Sequence, residues 1–263
     1  MDEHADLQAA DRRERIAQLV ANRQTIRVAA LVSSFGVTDT SIRRDLAILE
    51  SEGRLRRVHG GAMAVPGDVR TRWYDEKARH HQAEKQRIGA AAAQLVTPGD
   101  ILIFDSGTTT LQVANNIPPH LRTGGMLTLI TNSFPLVEMV RSWPAPNVIF
   151  LGGLWLPDYQ ATVGPQALEQ LRTITADKVF LGADGLTLAE GITTAHILMA
   201  EIDRSMAERA RHVVLTADSS KLGRAGLVPI VPIHMIQTMI TDTDAPPDTV
   251  AAIRDQGVEV ILA

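Results

Sequence analysis

Residues 36–62 read GVTDTSIRRDLAILESEGRLRRVHGGA, and this stretch decides the fold of the amino-terminal part of the chain. Gly36-Val37 breaks the preceding segment, and Thr38 is placed to cap a new helix, because its hydroxyl can accept from N–H groups left open at a helix start. Ile42, Leu46 and Leu49 then recur at i, i+4 and i+7, the spacing of one buried helical face. Asp39, Thr40, Ser41, Arg43 and Arg44 fall on the outer or flanking faces. Upstream, Ile16, Leu19 and Val20 mark a first helix over 12–22, and Val28, Leu31, Val32 and Phe35 a second over 27–35. Two helices joined by a tight turn, the latter with paired arginines near its start, are how a helix-turn-helix presents side chains to the DNA major groove. Arginine suits that role because its planar fork makes two parallel hydrogen bonds to guanine or clamps a phosphate.

The run from Glu52 to Ala62 alternates basic and apolar residues between glycines. That pattern predicts a short β-hairpin, the wing of a winged helix. Arg54, Arg56 and Arg57, with His59 beside them, would approach the backbone or the minor groove. A small helical domain whose arginines merely face water is the simpler alternative. The order helix, turn, helix, wing, with charge on each expected element, argues against it.

Charge is distributed to match. Residues 12–61 hold ten arginines against five acidic residues, whereas the whole chain has a net charge of −4. A basic segment of this kind favours DNA by neutralising phosphates and releasing counterions. At 263 residues the chain is long enough for two domains. It has no run of 18 apolar residues, which argues against a membrane span, and its acidic start lacks the basic-then-apolar order of a signal peptide. It has no cysteine, so no disulfide or thiolate chemistry is available, and a cytoplasmic location is expected.

Residues 63–80 combine Pro66-Gly67 with charges and little periodicity, and read as a linker between a DNA-binding domain at 1–62 and a larger domain at 81–263. The larger domain opens on a helix at 84–95. Short apolar segments then alternate with helical ones: strands at 101–104, 127–130, 148–151, 178–181, 213–216, 235–240 and 258–262, and helices at 110–116, 134–142, 166–174, 197–210 and 248–256. The fold class is therefore α/β: a winged helix-turn-helix followed by a mainly parallel, doubly covered sheet. Such sheets bind ligands at the carboxyl ends of their strands.

The loops at those ends carry the chemistry. Asp105-Ser106-Gly107-Thr108-Thr109-Thr110 follows a strand and opens a helix, where free N–H groups and small hydroxyls suit a phosphate. It is no Walker motif, since no Gly-Lys-[Ser/Thr] follows. Thr131-Asn132-Ser133, Gly152-Gly153, Val163-Gly164-Pro165, Gly182-Ala183-Asp184-Gly185 and Asp218-Ser219-Ser220-Lys221 occupy corresponding places. Each taken alone has a plain turn-forming explanation. Their concentration at strand ends points to one pocket.

These motifs resemble those of the DeoR family of bacterial transcriptional regulators. VTDTSIRRDLAILESEGRLRRVHGGA is similar to the family's winged helix, with Ser41 where threonine is usual. The series DSGTTT, TNS, LGG, VGP, FLGADG, GITT and ADSSK is similar to its carboxyl-terminal domain, so the resemblance spans about 10–262. It implies a domain related in fold to ribose-5-phosphate isomerase that binds a phosphorylated sugar effector. It also implies binding of double-stranded operator DNA as a homo-oligomer, a dimer or tetramer, and repression of a sugar catabolic operon. By the same resemblance Ser106, Gly107, Thr108, Thr109 and Thr110 would hold phosphate, while Asp105, Asn132, Gly153, Asp184 and Lys221 would line the rest of the site. Asp45 would partner an arginine within its own domain, because a carboxylate facing phosphates is repelled. One position departs from the pattern: Asp203 stands where the family commonly has lysine. If its helix touches the ligand, the effector is open to differ from that of better-known members; if the helix faces solvent or a subunit interface, nothing follows.

The competing reading is a sugar-phosphate isomerase with an attached DNA-binding module. It needs a base and an electrophile, for which Asp105, Asp184, Asp218 and Lys221 are the available types. No Glu-Lys pair of the isomerase kind is evident, and a basic winged helix serves no metabolic purpose. No His/Asp cluster has metal-ligand spacing, so neither metal nor cofactor is expected.

Overall fold

The structure is a computed structural model. It describes residues 12–263 apart from 14, 18, 21–24, 59, 64–67, 124 and 145, and for 68–72 the backbone alone. The chain divides into two compact units, Met1–Trp73 and Tyr74–Ala263.

In the first unit the described residues of 12–20 are helical (α1), followed by β1 (Thr25–Arg27), α2 (Val28–Phe35), α3 (Asp39–Ser51), β2 (Arg56–Val58) and β3 (Gly61–Met63). Gly36 ends α2 in the left-handed region, at φ 64°. Thr38 caps α3 as read, its hydroxyl accepting from the Ser41 N–H at 3.2 Å. Ile42, Leu46 and Leu49 are buried against Ile16, Val20, Val28, Leu31 and Leu55. Asp45, also buried, accepts from Arg12 Nε at 2.7 Å, the intradomain partnership expected of it.

One expectation is corrected here. Arg27 ends a strand rather than starting a helix, and β1 pairs antiparallel with β3, giving a sheet of order β1-β3-β2. Three residues offer only one buried position, Ile26, too short an alternation to read from sequence. The strand anchors the wing: a Cβ at Gly61 would lie 2.3 Å from the Ile26 carbonyl oxygen, so only glycine allows this approach.

The second unit begins within α4 (Asp68–Arg79), a helix inside the segment read as a linker. After α5 (Gln82–Ala93) come β4 (Ile101–Phe104), α6 (Thr108–Asn116), β5 (Thr128–Thr131), α7 (Phe134–Val140) and β6 (Asn147–Phe150). Then follow β7 (Leu154–Leu156), β8 (Ala161–Val163), α8 (Pro165–Leu171), β9 (Ala176–Leu181), β10 (Gly185–Thr187) and β11 (Gly191–Thr194). The chain ends with α9 (Ile197–Glu208), β12 (Ala210–Thr216), β13 (Val228–Val231), β14 (Thr238–Thr241), α10 (Pro247–Arg254) and β15 (Glu259–Leu262). The seven strands read from the sequence form one sheet, order β15-β14-β12-β9-β4-β5-β6, with every neighbouring pair parallel.

Successive strand residues point to opposite faces, and both faces are apolar. Leu102, Phe104, Leu129, Phe180 and Val214 pack under α5, α6 and α7. Ile103, Ile130, Val179, Leu181 and Leu215 pack under α8, α9 and α10. Each large side chain buried this way contributes roughly 1.5–3 kcal/mol, which explains the near-continuous apolar strands. Two smaller sheets were not legible beforehand: the β7–β8 hairpin and the antiparallel β10-β11-β13. Their strands have three or four residues, several of them Gly, Thr or Pro, and resemble turns in sequence. The strand expected over 235–240 starts only at Thr238, after a 3-10 turn at Ile233–Met235.

Gly61→Ala should destabilise the first unit on the order of 1–3 kcal/mol by forcing β3 away from β1. Amide exchange at Val28, whose N–H bonds the Gly60 carbonyl at 2.9 Å, would accelerate; unchanged protection would show that the approach is not required.

Candidate functional site

In the first unit Arg43 and Arg44 are exposed on α3, as are Thr38 and Thr40 beside them, and Ser41 is half-buried. Arg43 is held by Asp39 one turn back, Nη2 lying 3.4 Å from Oδ2 and Nε bonding Oδ1. On the wing, Arg57 donates its backbone N–H to Glu50 at 2.7 Å, and its guanidinium lies 3.4 Å from the same carboxylate. Arg56 is exposed against Met63, and Arg54 lies 3.8 Å from Glu52. Arg43, Leu46, Arg57, Val58, Gly60 and Gly61 line one groove between α3 and the wing. The structure thus brings Arg43 and Arg57 to the same groove. His59 lies outside the described residues.

In the second unit the chain moves outward from β4 through β5 to β6, then returns to the other side of β4 and continues through β9, β12, β14 and β15. The topological switch point therefore falls between β4 and β9, and at the strands' carboxyl ends beside such a point open α/β sheets bind their ligands. Asp105 spans it. Its Oδ1 accepts from the Gly107 N–H at 2.8 Å and from the Thr110 hydroxyl, and its Oδ2 accepts from the Gly182 N–H at 2.6 Å. Burial raises this carboxyl, while those three donors and Lys77 draw it back. Thr110 is fully buried and also bonds the Gly107 carbonyl at 2.7 Å. Asp105 and Thr110 shape the loop. The N–H groups of Thr108, Thr109 and Thr110 occupy the first turn of α6, where no intrahelical carbonyl can reach them.

Asp184 follows β9. Thr194 Oγ1 and the Ala195 N–H donate to its Oδ2 at 2.9 and 3.0 Å, and Lys77 Nζ donates to its Oδ1 at 2.5 Å. Burial opposes its charge, yet Lys77 and these donors hold it below the usual carboxylate range. Lys77 comes from α4, and its own carbonyl accepts from Lys85 Nζ at 2.5 Å. Lys85 is 3% exposed. Burial lowers its ammonium to about 8; Lys221 and Lys77 push the same way, and Asp218 and Glu84 oppose them. Lys77, Lys85 and Lys221 thus gather beside Asp184 and Asp218, at the ends of β9 and β12.

Buried polar atoms are almost always paired, so unpaired ones mark a place built for something else. Among the described residues Asn132 Oδ1, Asp203 Oδ1, Asp218 Oδ2, Thr241 Oγ1 and the Tyr74 hydroxyl are buried without a hydrogen-bond partner. Asn132, Asp218 and Thr241 lie at the carboxyl ends of β5, β12 and β14. Tyr74 and Asp203 sit in the field of Asp105.

The expected residues divide accordingly. Ser106, Gly107, Thr108, Thr109 and Thr110 follow Asp105 at the carboxyl end of β4, Asp184 follows β9 and Lys221 follows β12. Asn132 is buried after β5, its amide donating to the Thr162 carbonyl at 2.9 Å. Gly153 serves packing: a Cβ there would lie 2.4 Å from the Val163 carbonyl oxygen. Lys77, Lys85 and Tyr74 were missed. Lys85 had a signal, because it occupies the apolar stripe Lys85, Ile88, Ala92 at i, i+3 and i+7. Tyr74 and Lys77 lay in the segment read as a linker. Among the described residues no group of three His, Asp or Glu is placed to hold a metal, and no helix is long and apolar enough to cross a membrane.

Comparison with known proteins bears on both units. Residues 12–66 match the family model described as a DeoR-like helix-turn-helix domain, and residues 80–243 match the DeoR C terminal sensor domain. The chain is 33% identical to the HTH-type transcriptional regulator GlpR of Haloferax volcanii over 252 residues, covering 96% of this chain and 97% of that protein. It is 30% identical to the transcriptional regulator UlaR of Shigella dysenteriae over 256 residues, covering 96% and 98%. Among solved structures, a probable sor operon regulator from Shigella flexneri superposes with a TM-score of 0.45 at 12% identity, over 66% of this chain and 89% of that one. Ribose 5-phosphate isomerase A from Methanocaldococcus jannaschii gives 0.39 at 16% identity, over 54% and 55%. With both units matched, and relatives aligned over nearly their whole length, the chain belongs to the DeoR family of transcriptional regulators.

Proposed function

We propose that this protein represses a sugar catabolic operon and releases its operator when a phosphorylated sugar enters the crevice between β4 and β9. The winged helix at 1–62 is the DNA reader, with Arg43 and Arg44 on α3, flanked by Thr38, Thr40 and Ser41, and Arg54, Arg56, Arg57 and His59 on the wing. The sensor begins near residue 81. Ser106, Gly107 and the first turn of α6 take the phosphate, with Lys221 beside them. Asp184 faces the sugar. Two operator half-sites require at least a dimer, and the relatives named for repression, such as AccR of Agrobacterium fabrum, support the sign of regulation.

One observation carries the reading. The helix in which the two units divide, α4, has its carboxyl-terminal turn tied to the crevice through Lys77, by its side chain to Asp184 and by its carbonyl to Lys85. An effector that competes for Lys77 or Asp184 loosens that helix. A ligand shifts an equilibrium only by its differential affinity for two states, and this contact supplies the difference. The isomerase reading gains no such support: Asp105 spends both oxygens on loop donors, Asp184 is neutralised by Lys77, and the aligned relatives are regulators. We therefore assign no catalytic residue.

Arg43→Ala or Arg44→Ala should weaken operator binding by ~1–3 kcal/mol where the side chain reads a base, measured by titration at fixed salt. Unchanged affinity removes that residue from the reading surface. Lys221→Ala and Lys77→Met should each abolish release by the effector while leaving operator affinity in place; a normal response in both would misplace the pocket. Lys85 offers a check on the crevice itself. Its folded value of about 8 lies below the unfolded value of about 10.4, so the unfolded chain holds the extra proton in that interval. Its penalty is full below pH 8 and fades as pH rises to about 10. Denaturation of Lys85→Met should lack this gain between pH 8 and 10; identical pH slopes in both proteins would contradict the burial of a charge there.

A further inference from the structure

The two edges of the seven-stranded sheet are finished differently. At β15 the Glu259 and Ala263 N–H groups donate to the Gln237 and Thr241 carbonyls beside them, so Val260 turns outward. Its carbonyl is taken by Arg254 Nη2 at 2.9 Å, and Glu259 is exposed on the same strand. Charge thus closes that edge, as sheet edges are commonly closed against further pairing. The β6 edge has no such device. The Leu151 N–H donates to the Thr131 carbonyl at 2.8 Å, so by strand alternation Val148 and Phe150 present their N–H and carbonyl groups away from β5. Among the described residues no strand pairs with that side of β6. The strand holds neither proline nor charge, and its register with β5 runs unbroken.

The surface around this edge is apolar. Ile149 and Phe150 on β6, Leu154 and Trp155 on β7, and Phe134 at the start of α7 are between 38% and 55% exposed. Phe134 and Trp155 meet edge to face at 5.9 Å. Thr162 of β8 holds the β7–β8 hairpin beside the ends of β5 and β6, its hydroxyl donating to the Leu151 carbonyl and its N–H to the Asn132 carbonyl at 3.0 Å. No residue from Ser142 to Pro157 is charged, in a chain of which 21% is. Singly exposed apolar side chains are ordinary, whereas a group of five beside an open edge marks an interaction surface.

We propose that this edge is where two copies of the chain join, each β6 pairing antiparallel with the other across a twofold axis at Ile149. The occupant follows from the surface. Uncharged and apolar, it complements another uncharged apolar surface, and an isologous pair supplies one without a second component. A twofold axis normal to the sheet sets a strand antiparallel to itself. With Ile149 opposite its own copy, Val148 lies opposite the partner's Phe150, and the outward N–H and carbonyl groups of both are satisfied by exchange. Ile149 then forms a non-hydrogen-bonded pair, whose Cα atoms lie about 4.5 Å apart. The two sheets continue as one, and Phe134 and Trp155 flank the seam as aromatic side chains of the kind enriched in interfaces. This rests on the operator reader's need for two copies, and it adds where they meet.

Sedimentation of the full chain without DNA tests this. The unaltered protein should run as a dimer or an even multiple of one. Ile149→Lys should halve that mass, weakening association about a hundredfold or more by setting like charges opposite each other. Ile149→Glu should do the same, and mixing the two variants should restore the original mass, which also shows that both are folded. The chain has no cysteine, so Ile149→Cys adds its only thiol. The Cα separation suits a disulfide. Mild oxidation should therefore give a covalent dimer at least about tenfold faster than in Leu227→Cys, a more exposed position on the loop before β13. A monomeric unaltered protein would overturn the proposal, together with the need for two copies in solution. A dimer whose mass ignores both charges would overturn this interface alone and leave the operator reading standing. So would Ile149→Cys crosslinking no faster than Leu227→Cys, or mixed Lys and Glu variants that fail to reassociate.

Discussion

The Asp105 carboxylate is the interaction on which the second unit's site depends. It sits at the end of β4, buried, and receives donors from its own loop on one oxygen and from Gly182, beyond β9, on the other. A buried charge is tolerated only when such donors complete it, and hydrogen bonds to a charged acceptor are the stronger kind. The same contacts fix where α6 begins and where the β9 loop leaves the sheet, and so where Asp184 comes to lie. Phe104 and Phe180, the residues before these loops, stack at 5.0 Å and lock the two strands from below.

The two ends of the sheet carry different sets of polar contacts. At the amino ends, charge is closed on itself: Lys178 donates to Asp100 at 2.7 Å, and Asp177 takes Arg211 at 2.7 Å and the Ile101 N–H at 2.9 Å. At the carboxyl ends the acceptors of Asn132 and Asp218 are left open, and a lysine is buried at an energetic disadvantage.

Helix α4 contains the boundary between the two units. Its last turn carries Lys77, the cation that Asp184 and Asp105 both use, and the turn before it carries Tyr74, whose hydroxyl is buried near Asp105 without a partner. In the first unit the paired arginines stand on α3 because its opposite face is given to Ile42, Leu46 and Leu49. The wing is held to them by β1 and by Glu50, which bonds Arg57.

What the sequence by itself determined is everything periodic or local. The apolar spacing of α3, its Thr38 cap, the seven apolar strands and the DSGTTT loop are written within windows of about a dozen residues, and such windows carry backbone preference directly. The exposed arginines of α3 and the polar loops after the strands were legible for that reason. The short strands β1, β7, β8 and β10 were not, because three residues hold too little alternation and gain their stability from a partner strand. Only the tertiary structure decided which of the legible residues work as scaffold: Asp105 and Thr110 complete each other, and Gly153 makes room for Val163. Only it brought Lys77 and Lys85 together beside Asp184, since Lys77 and Asp184 are 107 positions apart in sequence. Their roles come from burial and from mutual distance, and neither is a property of any single stretch of chain.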